Sequence, residues 1–110
     1  MPTARMRRVN EVIREVLAAA IATDLKDPRI GFVTVTDVDT SPDLRAARVF
    51  VSVLGTEAER EDALAGLRSA HGVLQGRIAS ELRMKRTPTL TFEYDDSIER
   101  GIRLSELLDE

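Results

Sequence analysis

The sequence predicts an α+β domain in which helices cover one face of a small, mixed three-stranded sheet. Three observations lead there. Residues 5–25 and 64–84 place apolar side chains at three- and four-residue steps, the period of a buried helix face. Three short runs are β-branched or alternate in polarity, as strands do. The second and third of these runs are separated by helix, so their connection is a crossover rather than a hairpin.

Each element follows from its residues. Val9, Val12, Ile13, Val16, Leu17, Ala20 and Ile21 form the apolar stripe of a first helix from about Arg5 to Leu25. Lys26-Asp27-Pro28-Arg29 ends it, because a residue preceding proline avoids helical geometry. Phe32 to Val38 is the first strand. Thr40-Ser41-Pro42-Asp43 supplies the turn, and Arg45 to Leu54 forms the second strand with Ala47, Val49, Val51 and Val53 on one face. Thr56 and Glu59 stand three apart as a capping box for the second helix. Leu90 to Tyr94 alternates as the third strand. Asp96 and Glu99 are placed to cap a last short helix, whose Ile98, Ile102, Leu104, Leu107 and Leu108 are expected to pack back on the core.

The segment from Leu64 to Met84 says most about function. Leu64, Leu67, Leu74, Ile78 and Leu82 share one face, but Ser69-Ala70-His71-Gly72 interrupts them. A single unbroken helix would put His71 inside that stripe. A break at the glycine turns His71 outward, starts a second helix with free N–H groups, and carries it to the basic end Arg83-Met84-Lys85-Arg86-Thr87-Pro88.

Charge is segregated along the chain. The net charge is −3, yet residues 1–14 hold Arg5, Arg7, Arg8 and Arg14 against Glu11 alone. Residues 68–86 hold Arg68, Arg77, Arg83, Lys85 and Arg86 against Glu81. The acids gather at residues 57–62 and 93–110. This predicts a surface with one basic and one acidic side, and the arginines suit bidentate phosphate contact. The aromatics Phe32, Phe50, Phe92 and Tyr94 lie in strand patterns, where core is the simpler role, so binding should rest on backbone and shape.

Several chemistries lack their residues. With no cysteine there is no disulfide framework and no thiolate site, as suits a reducing cytosol. His71 is the lone histidine, no serine lies in a nucleophile motif, and no phosphate-binding glycine loop occurs. Asp95-Asp96 and Asp37/Asp39 read as caps and turns. The basic N-terminus runs into an amphipathic stretch, which is neither a signal peptide nor a membrane anchor. The chain is expected to be soluble and cytoplasmic, a single domain over residues 1–110, with no enzyme activity, cofactor, metal or small-molecule substrate.

The combination of Asp27-Pro28-Arg29-Ile30-Gly31, Ser41-Pro42-Asp43-Leu44, Ser69-Ala70-His71-Gly72 and Arg83-Met84-Lys85-Arg86-Thr87-Pro88, in this order and spacing, resembles the bacterial ribosome-binding factor A family over almost the whole chain. The resemblance implies a type II KH-like fold in which an Ala-x-Gly kink replaces the usual Gly-x-x-Gly loop. It further implies a monomeric, non-enzymatic factor that binds the small (30S) ribosomal subunit and its 16S rRNA during late maturation, alongside other assembly factors, and supports growth in the cold. Carried over, Ala70, His71 and Gly72 form the kink. Arg5, Arg7, Arg8, Arg14, Arg83, Lys85 and Arg86 become RNA-facing candidates. Gln75, Ser80 and Glu81 stand where more basic residues are expected, and relatives often extend further past the last helix. The rival reading is a protein-interaction module that docks a basic partner through the acidic C-terminal helix at 97–110.

Overall fold

The computed structural model describes residues 2–109. Its elements run α1 (Ala4–Thr23), β1 (Val33–Thr40), β2 (Ala46–Val53), α2 (Glu57–Ser69), α3 (His71–Leu82), β3 (Thr89–Tyr94) and α4 (Ser97–Leu108). The sheet order is β1-β2-β3, with β1 antiparallel and β3 parallel to β2. This is the α-β-β-α-kink-α-β order of a KH-like α+β domain, with helices on one face.

The helix faces predicted by periodicity are the ones buried. Ile13 and Leu17 of α1, Leu67 of α2, and Leu74 and Ile78 of α3 are fully enclosed against Val49, Val51, Leu90 and Phe92 of the sheet. Each such aliphatic side chain contributes about 1.5–3 kcal/mol on leaving water. The capping box at Thr56 forms as expected, with the Glu59 N–H donating to Thr56 Oγ1 and the Thr56 N–H to Glu59 Oε1. Gly55, at φ 148°, ends β2 in a conformation that side chains disfavour.

β1 departs from simple alternation. The register passes from Val35↔Val51 directly to Asp37↔Phe50, leaving Thr36 as the extra residue of a bulge. Without it, strict alternation would bury Asp37 and expose Val38; with it, Asp37 faces out and Val38 is buried.

The expectation that α4 packs back on the core fails. Ile98, Ile102, Leu104, Leu107 and Leu108 are each more than half exposed, and α4 buries no residue. Its amphipathic pattern is real, but the sheet face toward the helices is already filled by α1, α2 and α3. Only its first turn is tied down, where Glu99 accepts a hydrogen bond from the Tyr94 hydroxyl and Arg60 lies 3.9 Å over the Tyr94 ring. The Asp96 side chain does not cap this helix; Asp95 Oδ1 accepts from the Ser97 N–H instead, at 2.9 Å.

The α1–β1 connection is pinned under the end of α2. Arg29 holds both carboxylate oxygens of Asp27 and reaches Ser69 Oγ at 3.2 Å. Ile30 lies where Gly66 has no side chain: a β-carbon there would meet Ile30 Cγ1 at 2.7 Å. No helix among the described residues is long and apolar enough to cross a membrane.

Gly66→Ala should therefore destabilise the protein by about 1–3 kcal/mol through overpacking, although helix propensity alone would favour alanine by about 1 kcal/mol; urea unfolding measures the sign. The Arg29 guanidinium, then the Arg29 N–H, pull the Asp27 carboxyl from 3.8 down to about 2. Its folded value lies below its unfolded one, so its contribution is present above about pH 4 and lost as pH falls toward 2. Stability of Asp27→Asn should fall less steeply across that window than that of the native chain.

Candidate nucleic-acid interface

The kink forms, though not at the glycine. Ala70 carries it, at φ −88° and ψ 8°, a bridge conformation open to alanine. Gly72 lies within α3, its φ is not positive, and nothing stands within 4 Å of where its β-carbon would be. Neither backbone geometry nor packing demands glycine there. No side chain caps the start of α3.

Across the kink, three side chains hydrogen-bond to the free edge of β3. Gln75 Nε2 donates to the Pro88 carbonyl at 2.7 Å, and Gln75 Oε1 accepts from the Leu90 N–H at 3.1 Å. A side-chain amide thus stands in for a neighbouring strand's backbone. His71 Nε2 donates to the Leu90 carbonyl at 3.1 Å, and Arg68 Nη2 to the Phe92 carbonyl at 2.9 Å. Residues 68, 71 and 75 keep helical spacing, so the kink bends the helix without turning this face away. An exposed strand edge invites pairing with other chains, and here the carbonyls of Pro88, Leu90 and Phe92 and the N–H of Leu90 are taken by side chains. His71 is therefore turned toward the sheet edge, half-buried, and Gln75, out of place as an RNA contact, is a strand surrogate.

The cations then sort into two sets. Arg14 pairs with Glu11, Arg29 with Asp27, Arg48 with Glu93, Arg77 with Asp24 and Arg100 with Asp96. Arg68 is spent on β3. Of the remaining cations among the described residues, Arg5, Arg7, Arg8, Lys26, Arg83, Lys85, Arg86 and Arg103 make no ion pair, and of these Arg5, Arg83, Lys85 and Arg86 line one open groove, with Asp43 as its one acid. The first turn of α1 contributes Arg5, the α3–β3 loop contributes Arg83 to Arg86, and the β1–β2 turn adds Leu44 and Arg45. Arg8 lies one turn from Arg5 on the same flank of α1; Arg7 and Arg14 fall on the other flank by helical spacing. Ala70 to Gly72 lie at the far end of α3, about 17 Å of helix from Arg83.

Arg45 was not legible as a site residue. It sits in a turn organised by Ser41, whose Oγ donates to Asp43 Oδ1 at 2.6 Å and accepts the N–H groups of Arg45 and Ala46. Asp43, held below the usual carboxylate range chiefly by the Ser41 hydroxyl, lies 4.0 Å from Arg45. Leu44 and Arg83 are the two non-glycine residues at positive φ among the described residues, at 59° and 50°. Both line the groove. A left-handed backbone costs about 1–2 kcal/mol at each. Two arginines, Arg5 and Arg7, also occupy the first turn of α1, against the helix dipole, with Arg8 just beyond. Local stability is surrendered at this one place.

A kinked helix pair over a mixed sheet, with a predominantly basic groove where α1, the hairpin turn and the α3–β3 loop meet, defines a KH-like protein with a basic surface suited to a phosphate backbone. Residues 5–108 match the model of the family described as ribosome-binding factor A. The chain is 45% identical over 108 residues to ribosome-binding factor A of Halothermothrix orenii, covering 98% of this chain and 88% of that one. Among solved structures, a putative ribosome-binding factor A of Thermotoga maritima is 36% identical with a TM-score of 0.77, covering 90% and 94% of the two chains. The crystal structure of ribosome-binding factor A from Thermus thermophilus is 31% identical with a TM-score of 0.73, covering 81% and 93%. A homology model of the Thermus thermophilus protein, fitted into a cryo-EM map of its complex with the 30S subunit, matches with a TM-score of 0.66 at 32% identity, covering 79% and 91%. The chain belongs to the ribosome-binding factor A family.

Gln75→Leu should leave the Pro88 carbonyl and Leu90 N–H unpaired and cost about 1–3 kcal/mol, with faster amide exchange in β3 than in β1.

Proposed function

We propose that this protein is a non-enzymatic assembly factor that binds the small ribosomal subunit through 16S rRNA, needed for late processing of that RNA. One observation carries the reading: Arg5, Arg83, Lys85 and Arg86, from two separate segments, make no ion pair and converge on one groove, which Arg45, paired with Asp43, lines from a third. The Thermus thermophilus relative placed in a 30S complex supports the choice of partner. The 110 residues act as one KH-like RNA-binding unit in the cytoplasm, to which α4 (Ser97–Leu108) is a helical appendage. The groove holds an rRNA segment in an immature arrangement and releases it before translation.

Arg8 extends the groove along α1. The uncapped start of α3 at Ala70, His71 and Gly72 offers a second backbone contact, with a surface at Gly72 free of side-chain bulk. The exposed apolar residues of α4, beside Glu99, Glu106 and Asp109, favour a subordinate reading in which this helix docks a basic partner among the other assembly factors.

Co-sedimentation with purified small and large subunits tests the function. The protein should travel with small subunits and dissociate as salt rises. Arg5→Ala and Arg86→Ala should each lower the slope of log affinity against log salt by about 1. Arg83→Gly should lower it likewise with an unchanged or higher Tm, because glycine relieves the left-handed position. Arg14→Ala should leave the slope unaltered. Salt-independent binding would sink the proposal.

A further inference from the structure

The end of the sheet opposite the basic groove is its converse in charge and polarity. The groove sits at the β1–β2 turn, where β2 begins. β3 runs parallel to β2 and its last residue, Tyr94, pairs with Val51, so α4 starts from the other end of the sheet. Phe32 and Leu54 flank that same end, joined by a 3.1 Å hydrogen bond from the Leu54 N–H to the Phe32 carbonyl. α2 begins there too, and its Arg60 lies 3.9 Å from Glu99 of α4.

Two properties coincide at this end. Phe32, Leu54, Ile98, Ile102, Leu104 and Leu108 are all more than half exposed, and an apolar surface of that kind marks an interaction site. Helical spacing sets Ile98 and Ile102 along one side of a stripe on α4 and Leu104 and Leu108 along the other. Gly101 and Ser105 lie between them and leave room for the ridge of a second helix. Charge is equally one-sided: residues 57–62 and 95–109 hold nine acids against three arginines. Two of those arginines are already engaged, Arg60 over the Tyr94 ring and Arg100 with Asp96 at 3.0 Å.

The charge selects the occupant. RNA and an anionic lipid surface are repelled, and two copies meeting through this end would bring like charges together. A surface that is both apolar and basic fits, and proteins that lie on RNA carry basic surfaces because they neutralise phosphate. We infer that the α4 end docks a basic, aliphatic-faced segment of a protein of the small subunit, while the groove at the other end of the sheet holds the rRNA. The inference rests on the small-subunit reading above and places the occupant of α4 on the subunit itself. At 53 Å along its longest axis, the protein reaches from the RNA to such a neighbour.

Equilibrium binding to two probes at one salt concentration tests it: purified small subunits and protein-free 16S rRNA. Ile102→Ala with Leu104→Ala removes apolar surface yet favours the helix, so Tm and helix content should hold. Affinity of this variant for subunits should fall about tenfold, the scale of a lost hot-spot contact, while its affinity for bare rRNA stays within about twofold. Glu106→Lys with Asp109→Lys should act with opposite signs, weaker on subunits and equal or tighter on bare rRNA. Equal losses on both probes in the alanine variant would assign α4 to RNA, and undiminished subunit binding would leave its face without a partner there; either overturns the inference. A lysine variant that binds both probes more tightly overturns it too. A dimer seen in sedimentation equilibrium and dissolved by the alanine variant would give the face to a second copy instead. Native protein that binds neither probe removes the small-subunit reading itself.

Discussion

The structure depends on how β3 is held. It runs parallel to β2, so the chain must cross over the sheet to reach it, and α2 and α3 make that crossing. β2 satisfies one edge of β3; Arg68, His71 and Gln75 take four backbone groups along the other. Those three side chains lie on both sides of Ala70, so the kink angle and the hold on that edge are one constraint. Because α3 is locked to β3 at its start and packed on α1 along its length, its C-terminal end has one place to go. That place is beside the first turn of α1, where the groove forms.

The groove is where local preferences are overridden. Leu44 and Arg83 hold left-handed backbone, and arginines occupy a helix N-terminus whose dipole opposes them. Elsewhere the same side chains are used conventionally: Arg29, Arg48 and Arg77 pair with acids, and capping boxes open α1 and α2. Leu44 explains part of the exception. Its side chain is 8% exposed and anchors the turn in the core, which commits the neighbouring Arg45 to the groove. The unpaired cations, the two left-handed positions and the uncompensated dipole coincide, and general surface solvation does not require that.

The apolar pattern read the elements well, because burial enforces periodicity wherever a face meets the core. It read α4 wrongly for the same reason. A pattern of Ile98, Ile102 and Leu108 reports that a helix has an apolar face, and says nothing of whether that face is covered. The kink was legible as a break across Ser69-Ala70-His71-Gly72, and the backbone bends within that span, at Ala70, in a region that needs no glycine. The basic run over residues 68–86 was overcounted: Arg68 and Arg77 are consumed by β3 and Asp24, and three-dimensional neighbours decide that.

By itself the sequence determined the order of elements, the buried faces of α1, α2, α3 and the sheet, the two basic segments, and the family to which the chain belongs. These are local or periodic properties, written within a few residues of one another. Only the tertiary structure decided that Arg5, Arg45, Arg83, Lys85 and Arg86 meet while Arg14 stands apart and paired. It also assigned His71 and Gln75 to a strand edge nineteen and fifteen residues away. Such meetings follow from the crossover and the packing of α3 on α1, which bring distant segments together by closing a core, and no local pattern records which side chains then become neighbours.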